Sequence, residues 1–73
     1  MWIITWDWPD IREPGLFAEV RWLINQHLEF PRIIDVMRMI VERRITTSYD
    51  NPAMLIGAGL EQLGCRVTLK NIP

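Results

Sequence analysis

The chain is poor in the residues that carry covalent or metal chemistry. It has one cysteine, Cys65, and one histidine, His27. A lone thiol excludes an intrachain disulfide, and a lone thiol beside a lone imidazole cannot form a cysteine- or histidine-based metal site. A reducing, cytoplasmic compartment is the default reading. Neither charge dominates: eight Lys and Arg stand against nine Asp and Glu, for a net charge of −1. That balance disfavours a nucleic-acid binder that works by neutralising phosphates, and it offers no polybasic membrane anchor. The apolar opening run Met1–Trp8 is far too short to cross a bilayer and lacks the basic start of a signal peptide. Lipidation signals, internal repeats and low-complexity stretches are missing as well.

What is present suits a small core. The 73 residues are 49% hydrophobic and 23% charged, which fits one folded domain over residues 1–73. Trp2–Trp8 is β-branched and aromatic with a period of two, and predicts a strand whose Trp2, Ile4, Trp6 and Trp8 face a core. Trp8, at the strand end, is the indole expected to stay exposed. Pro9–Gly15 reads as a loop. From Leu16 the spacing turns helical, with Leu16, Phe17, Val20, Leu23, Ile24 and His27 on one side. After a break at Leu28-Glu29-Phe30, Pro31 is placed as the first residue of a second helix. Its expected buried stripe is Ile33, Val36, Met37 and Ile40, flanked by Ile34 and Val41.

Ile45–Tyr49 predicts a short strand. Asp50-Asn51-Pro52 supplies a capping residue and a proline ahead of a third helix that runs to Leu63. Ile56, Leu60 and Leu63 are its core positions, and Gly64 is a left-handed stop. Cys65–Lys70 alternates as a last strand. The order is β-α-α-β-α-β, an α+β fold with a three-stranded sheet and helices packed on one face. Gly57-Ala58-Gly59 lies inside a helix and has no Gly-Lys-Ser/Thr after it, so it reads as a close-packing stripe and not as a phosphate loop. The same smooth stripe is an alternative dimer contact.

In this arrangement the chain resembles two related groups, the adaptor of the Clp protease and the C-terminal domain of the bacterial ribosomal stalk protein. Ala53–Lys70, a helix closed by leucine and glycine and followed by an alternating strand, is similar to the stalk domain. The hairpin from Pro14 to Met37 is similar in length and apolar spacing to that of the protease adaptor. The resemblance implies the β-α-α-β-α-β fold and a binding role. The stalk domain engages translation factors through a basic, partly apolar face of its first two helices. Arg21 and Arg32 match that face, while Glu19, Glu29 and Asp35 stand among them. The adaptors that recognise N-terminal residues use an Asn-Asp pair before the first helix and a His late in the second. This chain has Pro9-Asp10 and Val41 there, with Met37 at a pocket-lining position, which implies an altered pocket of Asp10, Met37 and Val41.

The residues themselves point to a binding module and not to an enzyme, with no cofactor and no metal. No nucleophile is spaced to partner His27, and no paired carboxylates share a pocket. Trp22 falls opposite the apolar stripe of the first helix, and Met39 falls among Arg32, Asp35 and Arg43 on the second. An aromatic on a polar face is costly to leave wet and anchors interfaces, and Met adapts to a partner. The expectation is a protein-binding adaptor or modulator that docks a larger machine through its helical hairpin, as small phage or mobile-element proteins do to host proteins. Trp22 is its anchor, Met39 the adaptable neighbour, and Arg21, Arg32 and Arg43 the rim. A homodimer is compatible with exposed aromatics. The alternatives are a nucleic-acid-associated protein using the N-terminal tryptophans and the Arg38, Arg43 and Arg44 cluster, and the altered degron adaptor.

Overall fold

A computed structural model describes residues 1–29 and 31–73; Phe30, in the expected break, lies outside the described residues. The elements are β1 (Trp2–Asp7), α1 (Leu16–His27), α2 (Ile33–Glu42), β2 (Arg44–Thr47), α3 (Asp50–Gln62) and β3 (Arg66–Asn71). The sheet is antiparallel with order β2-β1-β3, so the first strand is central and the other two are edges. The helices cover one face, as the alternation in β1 requires. Ile4 and Trp6 are buried, and their cross-strand neighbours Ile45, Leu69 and Val67 share that face. The other face carries Ile3 among Thr5, Asp7, Arg44, Thr46, Arg66, Thr68 and Lys70, and apart from that isoleucine is polar.

The tryptophans of β1 and Trp8 just beyond it pack on the core side, as their period predicts. Trp6 is buried, and Trp2 and Trp8 are half-buried against the core. Trp8 is not left free at the strand end: it packs edge-on against Trp6 at 5.8 Å and against Phe17 at 4.9 Å between ring centroids. That contact also explains Phe17, which sits at the margin of the α1 stripe. The α1 core is Leu16, Val20, Leu23 and Ile24.

Two helix boundaries differ from the sequence expectation. α2 starts at Ile33, with Arg32 as its extended N-cap accepting the Val36 N–H at 3.0 Å, so Pro31 stands ahead of the helix. α3 starts at Asp50 with Tyr49 as N-cap and no side-chain cap. Asp50 is the first residue inside the helix and not its cap, and its Oδ1 accepts the Trp2 indole N–H at 2.6 Å, tying the start of α3 to the start of β1. The other end of α3 closes as predicted. Gly64 takes φ +91°, its N–H reaches the Glu61 carbonyl, and the Cys65 N–H reaches that of Leu60.

The glycine stripe of α3 is spent inside the molecule. A Cβ on Gly59 would stand 2.6 Å from a Leu23 methyl of α1, and one on Gly57 would stand 3.3 Å from the Leu69 methyls of β3. The stripe therefore packs helix on helix and helix on strand, which accounts for both glycines within the chain.

Candidate protein-binding surface

The largest departure from the sequence pattern is the rotation of α2. Val36 and Ile40 are buried and Met39 is half-buried against the core, while Ile33, Ile34, Met37 and Val41 face solvent. At about 100° per residue, the buried direction is turned by roughly 50° from the expected stripe. The cause is the width of the apolar arc, which exceeds what α1 and the sheet cover; the half centred on Val36 and Ile40 is used, and the other half is left out. Ile33 is 80% exposed and Val41 76%. Spaced at i, i+1, i+4 and i+8, these four side chains form one apolar ridge along α2.

Each residue expected in a site has a definite place. Trp22 is 61% exposed on α1, and Arg21 is exposed beside it in sequence. Met39 is half-buried: it packs against the core and also lines a groove on the side of α2 away from Ile33 and Met37. Arg32 lies at the α2 N-cap and is exposed. Arg43 is exposed at the α2 C-cap in the left-handed conformation, φ 55° and ψ 47°, a position usually given to glycine. Met37 and Val41 lie on the ridge, and Asp10 is exposed in the β1–α1 loop.

A groove of about 750 Å³ opens on the opposite side of α2. Met39, Leu28 and Pro52 give it an apolar floor, and half-buried His27 stands at its margin. Arg43, Arg44 and Arg66 meet around a smaller hollow of about 270 Å³, together with Asp7 and Glu42. A third, of about 240 Å³, lies between the β1–α1 loop and the end of α3. Asp10, Met37 and Val41 line none of these three hollows, so the altered adaptor pocket expected of them does not coincide with any of the three. Among the described residues no group of three or more His, Cys, Asp or Glu is placed to hold a metal ion. No described helix is long and apolar enough to cross a membrane. Burial raises the Cys65 thiol above its ordinary value of 9.0, which suits a packing residue and not a nucleophile.

The sequence pattern singles out Trp22 but misses the ridge, because Ile33 and Met37 fit a buried stripe equally well. A signal was available: the α2 apolar arc takes up most of its ten residues, more than a single packing face uses. No family model matches the chain, and no curated protein or solved structure matches it either.

Proposed function

We propose that the chain is a protein-binding module, an adaptor or modulator that docks a larger protein through the exposed side of its helical hairpin. The observation that supports this is the α2 ridge. Four large aliphatic side chains, Ile33, Ile34, Met37 and Val41, are held in solvent on a helix whose other apolar residues are already used. Fully burying a side chain of this kind is worth about 1.5–3 kcal/mol, so the ridge forgoes several kcal/mol in the free chain that a partner recovers. Contiguous apolar surface of this kind, set beside polar residues, marks interaction sites. Trp22 adds a second anchor on α1, and Arg21 and Arg32 are the exposed polar groups next in sequence to Trp22 and Ile33.

The test separates docking from folding. Ile33→Asp with Val41→Asp, and separately Trp22→Ala, are compared with the natural chain in affinity capture from the native host and in thermal unfolding. The expected result is a specific protein retained by the natural chain, lost by the ridge variant and weakened by Trp22→Ala, with unfolding midpoints nearly unchanged. Capture that is indifferent to the ridge variant would remove α2 as the docking face. A large fall in its midpoint would show that the ridge is part of the core.

A further inference from the structure

We infer a second binding site on this molecule: the free edge of β2 accepts an extended peptide as a fourth strand, in the groove between that edge and α2. β2 is an edge strand, and the direction of its backbone groups follows from hydrogen bonds at opposite ends of β1. The Trp6 N–H donates to the Arg43 carbonyl at 3.4 Å, so the even residues of β1 bond toward β2. At the other end Met1 and Ile72 exchange both of their bonds at 2.7 Å, so the odd residues bond toward β3. The two agree. In an antiparallel ladder these directions alternate, so Arg43, Ile45 and Thr47 bond to β1. The N–H and C=O of Arg44 and Thr46 therefore point away from the sheet.

The groove runs along that edge. It is lined by Arg44 and Thr46, whose side chains lie on the outer face, and also by Thr47, whose side chain lies on the helix face. Successive residues of a strand point to opposite faces, so a hollow touching both follows the strand edge itself. Its far wall is α2 and its N-cap, through Arg32, Asp35, Arg38, Met39 and Glu42. From Arg32 to Glu42 the wall is about 15 Å long, the span of four or five extended residues. Asp35, Met39 and Glu42 lie on the other side of the helix from the ridge, and only Arg32 and Arg38 border both the groove and the docking face.

The chemistry of the occupant can be read from the same register. Peptide residues paired with Arg44 and Thr46 present their side chains on the outer face; the residue between them points inward, toward Met39 and Leu28. An acidic residue opposite Arg44 makes the favoured cross-strand charge pair, and a Thr or Val suits Thr46. In antiparallel addition the motif reads β-branched, apolar, acidic. Main-chain bonds supply the affinity of such strand addition and the side-chain positions its selectivity.

The probe is a capped pentapeptide, acetyl-Val-Thr-Leu-Glu-Val-amide, titrated into the whole chain while backbone amide resonances are followed. Saturable shifts centred on the Arg44 and Thr46 amides, and slowed hydrogen exchange there, are expected. The same peptide N-methylated at its Thr and Glu should bind at least about tenfold more weakly, and so should a Glu-to-Lys version. Thr46→Pro gives an independent check. It removes an N–H that points away from β1, so it should abolish binding yet leave the β1–β2 ladder and the fold intact. If that variant unfolds, the N-methylated peptide on the natural chain still decides the matter. Equal binding of the methylated peptide, shifts confined to the α2 ridge, or β2 amides protected by self-association without peptide would each overturn the proposal.

Discussion

Two glycines two positions apart in α3 should respond to the same substitution with opposite signs. Alanine in a helix interior is favoured over glycine by about 0.8–1 kcal/mol, and both Gly57 and Gly59 lie inside Asp50–Gln62. Space decides the outcome. At Gly59 the new Cβ would meet the two Leu23 methyls at 2.6 and 2.7 Å and its Cγ at 3.2 Å, well inside the ~3.5–4.0 Å of good carbon contacts. Leu23 is itself buried, so its methyls have no solvent to retreat into. Overpacking of this kind costs about 1–3 kcal/mol. Gly59→Ala should therefore destabilise by about 1 kcal/mol net, a fall in Tm of about 4–8 °C for a domain of this size. At Gly57 the contact is 3.3 Å with the methyls of Leu69, which is only half-buried on an edge strand and needs to yield only a few tenths of an ångström. Gly57→Ala should keep most of its propensity gain and raise Tm by about 2–5 °C.

Urea unfolding followed by circular dichroism measures both, with unchanged m-values as the condition for comparison. A third variant isolates the cause. Leu23→Ala alone opens a cavity and should cost about 2–5 kcal/mol, but in its background Gly59→Ala meets no methyls and should stabilise. The double-mutant coupling should then be about 2 kcal/mol between these two positions. If Leu23→Ala is too unstable in buffer, an excluded osmolyte such as TMAO restores a measurable folded baseline. Gly57→Ala and Gly59→Ala shifting stability in the same direction by similar amounts would refute the reasoning. So would a coupling near zero.

Arg43 holds a left-handed conformation that an L side chain adopts at a cost, so Arg43→Gly should stabilise by about 0.5–1 kcal/mol; a loss in the same urea assay would show that its side chain supports the fold. Cys65 is buried with its thiol pKa raised by desolvation, so the folded state holds its proton more tightly than the unfolded state. Its contribution is unchanged below the ordinary thiol value of 9.0 and is lost as pH rises through the higher folded value, so stability should fall at alkaline pH and fall less in Cys65→Ala. A coloured disulfide reagent should label Cys65 slowly in buffer and quickly in denaturant; rapid native labelling would contradict its burial.

The elements whose period matches one buried face were legible from sequence. β1 alternates and faces the core with its indoles, α1 keeps its stripe of Leu16, Val20, Leu23 and Ile24, and Gly64 stops α3 because only a residue free of Cβ strain takes φ +91° cheaply. What the pattern does not contain is the partner that another element supplies. Asp50 is a residue type suited to a helix cap, but it stands one position inside the helix, where its Oδ1 accepts the indole N–H of Trp2, forty-eight residues away. Phe17 belongs to the helical stripe by spacing, yet its packing surface is Trp8 from the preceding strand.

α2 shows most plainly why an exposed apolar face is harder to read than a core. Its apolar positions Ile33, Ile34, Val36, Met37, Met39, Ile40 and Val41 are almost continuous, so the sequence specifies a wide arc without a centre. The centre is set elsewhere, by where α1 and β2 meet the helix, and rotation by half a residue step exchanges Met39 for Met37 at the core. For a helix with only enough apolar residues to cover its neighbours, the same rotation would expose aliphatic surface and leave polar atoms buried, and stability would fix the phase. α2 has apolar residues to spare, so the core is satisfied and the surplus becomes the ridge. The surplus and the ambiguity have one origin: the helix carries two apolar faces, and folding accounts for only one of them.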